Sequence, residues 1–426
     1  MVSLSDARLV LCQPFFHRYS GSEVVTLEIA EAFTSRGADV TVVTWSSSEV
    51  MRKETSRIPG CRLIDLRSHE SATAVKTLRP DLIWSHQGFV PSPLIGLPSH
   101  FVFAHLSSFN AFEFPFAPQI ERELADRVYF VSDEARDVHL DTGIYTGIAD
   151  SVFRVLGNPA PRSFHEVAGR NESASDDLRS LVVVSNHIPD DMVEAIRLLR
   201  SSGVSVEVVG AANSQIDTHQ RRVTADLISQ FDAVMTIGKT VQYSLCSGRP
   251  VYCYDYFGGP GWLTESNIAR AKYHNFSGRG FVSLPTQTIV EQLLTGYASA
   301  RQFVDEHRNE FRGDFSYDRI MSDVSEILSR PADSTRFVPH AESLGYIKAH
   351  ETIGDFGTAY YHSQPQVDRL HTELRLTKNH AANLEAMLRT EQDRGADLEQ
   401  RLAEITETVS WRITAPLRAL RRLVPR

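Results

Sequence analysis

Cysteine is scarce in this sequence: Cys12, Cys61, Cys246 and Cys253 are the only four, and none stand in CxxC spacing. Each lies in or beside an apolar segment, which argues against a zinc site or disulfide framework and predicts reduced core thiols in the cytosol. No window approaches the roughly 18 apolar residues of a membrane span. The N-terminus lacks a basic region and a long apolar run, so a cytosolic chain is expected, not an exported one. Basic charge is not in excess: 44 Lys and Arg against 53 Asp and Glu make a nucleic-acid-coating surface unexpected. No clustered Asp-x-Asp is available to hold a metal. What remains is a chain of 426 residues, with room for two or three domains and a substantial core.

The most informative stretch runs from Phe231 to Glu265. Phe231 to Ile237 is an apolar strand punctuated by Gly238-Lys239-Thr240; Thr240 to Cys246 predicts a short helix closed by Ser247-Gly248. Pro250 to Tyr254 predicts a second strand, ending at Asp255 and the glycine-rich Gly258-Gly259-Pro260-Gly261. Ligands of such sheets bind at the carboxyl ends of parallel strands, so both loops are candidate nucleotide contacts. A Walker P-loop is excluded, because Ala233 stands where its first glycine belongs. A helix N-terminus with an adjacent lysine still suits a phosphate. The alternative is an ordinary strand-to-helix turn with a solvated lysine.

Arg8–Cys12, Val40–Thr44, Arg62–Leu66, Leu82–Trp84, Phe101–Phe103 and Val128–Val131 are short apolar runs, with a helix over Ser22–Ser35 between the first two. Strand–helix alternation predicts a parallel sheet covered on both faces. A second alternation begins at Leu181–Val184 and continues through helices over Thr288–His307 and Asp318–Leu328. The fold class predicted is α/β: two Rossmann-like domains, residues 1–168 and 169–330, followed by a C-terminal helical coiled coil. Residues 331–365 show no sustained periodicity and are expected to connect.

From Val367 to Val409 the period becomes seven. Val367, Leu374, Ala381, Leu388, Leu402 and Val409 share one position, and Leu370, Leu384, Leu398 and Ile405 the matching one. Thr377, Glu391 and Gly395 interrupt them. This predicts a coiled coil over 366–409 and a homodimer, the alternative being one amphipathic helix folded back on the body. After Glu407 there is no acidic side chain: Arg412, Arg418, Arg421, Arg422 and Arg426 surround Trp411, Ile413, Leu417, Leu420 and Val424. A basic amphipathic tail at 410–426 is expected to meet an anionic membrane surface; the alternative is a frayed basic end.

Several motifs carry a resemblance. They are Tyr19-Ser20-Gly21-Ser22-Glu23, Asp81 to His86, Val155 to Pro159, Val206 to Gly210, Ser247-Gly248-Arg249-Pro250-Val251 and Asn275 to Gly280. With the two Rossmann halves they resemble the GT-B glycosyltransferases, closest to the family-4-like group of bacterial surface-polysaccharide enzymes, over roughly Ser3 to Leu328. The segment Ser410 to Arg418 is similar to tails of bacterial polysaccharide-assembly proteins. Tyr243 stands where the family usually carries a glutamate, and Ser185-Asn186-His187 replaces its usual Arg and Lys.

The resemblance implies transfer of a sugar from a nucleotide diphosphate sugar to a glycan or lipid-linked acceptor, without a metal or other cofactor. It implies donor contacts at Gly21, Ser22, His187, Lys239, Thr240, Gly258, Gly259 and Arg279, with Arg249 a further cation or a turn residue. Asp255 or Glu265 would bind the ribose hydroxyls, or else cap helices. His86 and His105 each end a predicted strand, where a histidine touches the sugar or takes the acceptor proton. One alternative is a catalytically inactive GT-B scaffold that recruits assembly enzymes to the inner face of the membrane; another is a nucleotide-sugar epimerase.

Overall fold

Short runs of Val, Ile and Leu bounded by charge or glycine form buried strands, and longer runs with helical spacing cover them. The computed structural model describes residues 2–67, 69–110, 113–115, 118–167, 176–211, 213, 215–333, 340–416 and 418. In the first half the strands are β1 (Arg8–Cys12), β2 (Phe15–Phe16), β3 (Asp39–Thr44), β4 (Ser46–Ser47), β5 (Cys61–Asp65), β6 (Leu82–His86), β7 (His100–His105), β8 (Ala125–Phe130) and β9 (Phe153–Val155). Seven of them form a sheet in the order β5-β3-β1-β6-β7-β8-β9, parallel throughout. The winding reverses between β1 and β6, which opens a crevice at their carboxyl ends.

The second half contains β10 (Ser180–Val184), β11 (Ser205–Val209), β12 (Ala233–Thr236), β13 (Val251–Asp255) and β14 (Gly258–Trp262). Their order is β11-β10-β12-β13-β14, so this sheet reverses between β10 and β12. β14 pairs antiparallel with β13. The expected binding loop at Gly258–Gly261 is therefore an edge strand folded back beside its neighbour.

The helix Tyr317–Leu328 belongs by sequence to the second half but packs elsewhere. Tyr317, Ile320, Met321, Val324, Ile327 and Leu328 join the core built on Leu9, Leu11, Val40 and Val42. Burying a side chain of this size stabilises by about 1.5–3 kcal/mol, so this helix ties the halves firmly.

Residues 1–361 form one compact unit and residues 362–426 another. Part of the expected connector is helical, because the helix His340–Glu407 starts within it; 334–339 lie outside the described residues. Its early residues recur every three or four positions. The Tyr346 hydroxyl accepts from the Val90 N–H at 2.8 Å, and His350 stacks on Phe89 at 4.6 Å. Tyr361 stacks on His17 at 4.2 Å, and Gly357 lies so close to Phe15 that a Cβ would come within 1.8 Å of the ring. The stripe escaped notice because it is made of Tyr, His and Gly rather than aliphatic residues.

In the second unit the helix ends at Glu407. Thr408 then caps a separate short helix, Val409–Ile413, accepting from the Trp411 N–H. The heptad seam consequently stops at Ile405 rather than Val409. Residues 168–175, at the expected boundary between the two halves, and Leu417, Leu420, Arg421, Arg422, Val424 and Arg426 of the tail, lie outside the described residues.

Candidate functional site

The reversal in the second sheet brings two strand ends together. β10 runs into Ser185-Asn186-His187, and β12 runs through Ile237 and Gly238 into the helix Lys239–Cys246. Gly238 adopts φ 60° and ψ −136°, a conformation that favours glycine and allows the sharp entry into the helix. Asp255, at the end of β13, completes the group. Its carboxylate accepts from the Ser185 hydroxyl at 2.9 Å and the Tyr256 N–H at 2.7 Å, while the His187 N–H donates to Ser185 Oγ at 3.0 Å. Burial raises the Asp255 pKa, and these donors with His187 act against it. Gly210 closes the far side: a Cβ there would fall 1.7 Å from the Ser185 carbonyl oxygen. Thr240 is half-buried in the first turn of its helix.

Other expected contacts lie elsewhere. A Cβ on Gly259 would sit 2.0 Å from the Cys253 carbonyl oxygen, and one on Gly258 would sit 2.4 Å from Val282. These glycines permit backbone packing in the β13–β14 hairpin rather than cradling a phosphate. Glu265 is mostly exposed and faces His307 at 3.2 Å. Arg249 is buried and donates to the Ser229 carbonyl at 3.0 Å, so it is a turn residue, though not one facing water.

The two remaining cations bridge the halves. Lys239 Nζ lies 2.7 Å from Glu28 on the helix Gly21–Thr34 and donates to the Pro159 carbonyl at 2.9 Å. Burial lowers the Lys239 pKa, and Glu28 opposes that. Glu28 also accepts from the hydroxyls of Tyr243 and Tyr317, with Arg222 at 3.9 Å. The sequence reading of Lys239 as a phosphate cation or a solvated turn lysine is corrected: it is a buried strut. Tyr243 thus donates to a glutamate from the other half.

Arg279 is a second strut. It donates from Nε to Glu134 at 3.1 Å, contacts the same carboxylate through Nη2, and lies over the Phe109 ring at 5.1 Å. His274 Nδ1 is 2.6 Å from Glu134 as well. Burial would raise the Glu134 pKa, but Arg279, His274 and Ser108 hold it below the ordinary value. The Gly238 N–H donates to Phe276 O at 2.9 Å, so the Arg279 loop abuts the start of the Lys239 helix.

In the first half, Gly21 opens the helix Gly21–Thr34 with nothing within 4 Å of a Cβ position, and Ser22 Oγ accepts from Gln13 at 3.3 Å. His86 and His105 end β6 and β7 as expected, but both are fully buried. Neither ring nitrogen of His86 has a hydrogen-bond partner, and burial, with His105 nearby, lowers its pKa to about 3. His105 Nε2 lies 2.9 Å from Glu121 and 2.8 Å from the Tyr145 hydroxyl. Burial alone would lower the His105 pKa, yet Glu121 and Glu113 hold it above the ordinary value. Thus burial keeps His86 neutral at neutral pH, whereas Glu121 and Glu113 favour the charged form of His105, and both rings are buried away from solvent.

Sequence reasoning missed Glu28 and Glu134. Both are acidic residues of a helix, a type of position ordinarily solvated. The signal for Glu28 was its place beside Ile29 on the apolar face.

Two doubly wound sheets joined across polar strand ends make the GT-B architecture, and the α/β fold is of that type. Solved structures share it. A glycosyltransferase from Rickettsia africae ESF-5 matches with a TM-score of 0.51 at 12% identity, over 76% of this chain and 99% of that one. Anabaena Alr3699/HepE in complex with UDP and glucose matches with a TM-score of 0.50 at 12% identity, over 76% and 99%. An alpha-glucosyltransferase in complex with UDP and a 13-mer DNA containing a HMU base gives 0.50 at 11% identity, over 76% and 100%. At such identities the likeness establishes the fold alone. No protein-family profile and no curated protein matches the sequence.

Proposed function

We propose that the chain binds a nucleotide diphosphate sugar at the carboxyl ends of β10 and β12 and transfers the sugar to a glycan or lipid-linked acceptor on the first half. The observation that carries this reading is the reversal in the second sheet. It puts Ser185, His187 and Asp255 beside the N-terminus of the helix Lys239–Cys246, where an open α/β sheet takes its ligand. UDP in the Anabaena structure supports a nucleotide diphosphate as the ligand class. Departure of a nucleotide diphosphate builds negative charge, which the N–H groups of Lys239 and Thr240 and the Thr240 hydroxyl meet. Arg279 joins them only by exchanging Glu134 for a phosphate oxygen, whereas Lys239 stays with Glu28. Asp255 and His187 face the ribose. No metal or other cofactor is assigned.

Calorimetric titration with UDP and other nucleoside diphosphates, followed by assay of sugar transfer from the matching donor, tests this. Binding together with turnover is expected. A folded protein that binds none of them overturns the proposal.

A second reading, the inactive GT-B scaffold, is favoured by one observation: both cations near the site are already paired with carboxylates, Lys239 with Glu28 and Arg279 with Glu134. Nucleotide binding without turnover on any donor would decide for it. In either reading we assign the tail at 410–426 to the anionic inner face of the cell membrane, which suits a lipid-linked acceptor. Each basic group there contributes about 1 kcal/mol. Among the described residues no helix is long and apolar enough to cross a membrane. Liposome flotation of the full chain and of a truncation after Thr408 tests the tail; equal flotation rules it out.

A further inference from the structure

We propose that the seam from Val367 to Ile405 is one strand of a parallel two-stranded coiled coil whose partner is a second copy of this chain. Leu370, Leu374, Leu384, Leu388, Leu398 and Leu402 are each 52% to 59% exposed. They fall on the two core positions of the heptad. The helix that carries them continues to Glu407, and its part from 362 on spans about 70 Å at 1.5 Å per residue. A single helix buries no seam of its own, and a leucine stripe of this width matches a coiled coil rather than a solvated surface.

The charges flanking the seam select the partner. In a parallel pair each position before the first core residue meets the position five residues later on the other strand. Glu373 then meets Lys378, and Arg394 meets Glu399. Met387 with Gln392 and Arg401 with Thr406 bring no like charges together. A parallel in-register seam thus brings opposite charges together at the first two pairs and like charges at none, which an identical strand supplies without a foreign partner.

The seam also contains its own weak point. Glu391 and Gly395 take core positions in succession; Arg394 lies 3.7 Å from Glu391 in the same strand, and no atom approaches a Cβ position on Gly395. Association is therefore carried by two blocks, one N-terminal and one C-terminal to this interruption. A parallel arrangement also brings both 410–426 tails to one end, where they attach to a surface together and gain by avidity.

Sedimentation equilibrium of the full chain at micromolar concentration tests the proposal. A mass twice the 47.7 kDa of the chain is expected. Changing Leu374, Leu388 and Leu402 together to Asn is expected to weaken self-association by more than about 100-fold and leave near-ultraviolet circular dichroism unchanged. Leu384→Cys is expected to form a disulfide between identical positions on mild oxidation, as a parallel in-register pair allows. Glu391→Leu is expected to tighten the dimer. A monomeric full chain, which would fit a helix folded back on the body, overturns the proposal. So does a dimer that survives the triple substitution, or one in which Leu384→Cys stays unlinked.

Discussion

Removing the charge of Lys239 separates the structural account of this residue from the ligand-binding one. Lys239→Met keeps most of the side-chain length and leaves Glu28 buried with two tyrosine hydroxyls and Arg222 at 3.9 Å. Breaking a buried ion pair from one side costs about 3–5 kcal/mol, and the remaining Arg222 puts this case near the lower end. Glu28→Gln strands a largely buried ammonium with the Pro159 carbonyl and belongs near the upper end. At roughly 2 °C per kcal/mol for a body of this size, each single variant loses about 6 °C or more in melting temperature. The double variant Lys239→Met with Glu28→Gln removes both charges, and a coupling of roughly 0.5–3 kcal/mol should return part of the loss. Thermal unfolding gives the stabilities, and titration with UDP gives the affinities. If Lys239→Met melts like the parent but loses UDP affinity by about tenfold or more, worth about 1.4 kcal/mol, Lys239 belongs to the phosphate and the strut is wrong.

Three further outcomes follow from buried groups. Burial raises the Glu23 pKa from 4.5 to about 7, against N–H donors at Arg18 and His17. Its stabilising contribution, about 3 kcal/mol, is thus complete below pH 4.5 and lost as pH rises through 7; Glu23→Gln should flatten denaturant stability across that window, and an unchanged profile contradicts this. His86 is shifted the other way, from 6.5 to about 3, so its contribution is present above 6.5 and lost as pH falls toward 3; His86→Gln should lessen acid destabilisation in urea unfolding between neutral pH and pH 4. Tyr346→Phe removes the acceptor at 2.8 Å from the buried Val90 N–H and should cost about 1–3 kcal/mol, read from the denaturant midpoint; no measurable loss would mean the helix start is not anchored there.

The two sheets were legible because their strands are short apolar runs with period two or continuous burial, and the helical course from 367 to 407 because leucines at regular spacing mark it. The strand-end positions of His86, His105, Ser185 to His187 and Gly238 were legible for the same reason. Pairing across the chain was not. Lys239 and Glu28 are 211 positions apart, and no local pattern says that a lysine opening one helix meets a glutamate on another. Gly258 and Gly259 misled because a glycine needed for a tight hairpin reads like one needed for a phosphate. The helix starting at His340 was missed because its buried stripe is aromatic and glycine-rich. The helix Tyr317–Leu328 was found, but periodicity does not say which sheet an apolar face will meet.

The central claim is a nucleotide site at the reversal of the second sheet, and hydrogen exchange with and without UDP measures it most directly. Amides that bind a phosphate exchange more slowly when the ligand is present. Protection by UDP confined to peptides carrying Ser185–His187, Gly238–Thr240 and Asp255, with smaller changes around Arg279 as it leaves Glu134, is the predicted result. Saturating UDP that leaves those peptides unchanged, or that protects a different part of the chain, contradicts the account.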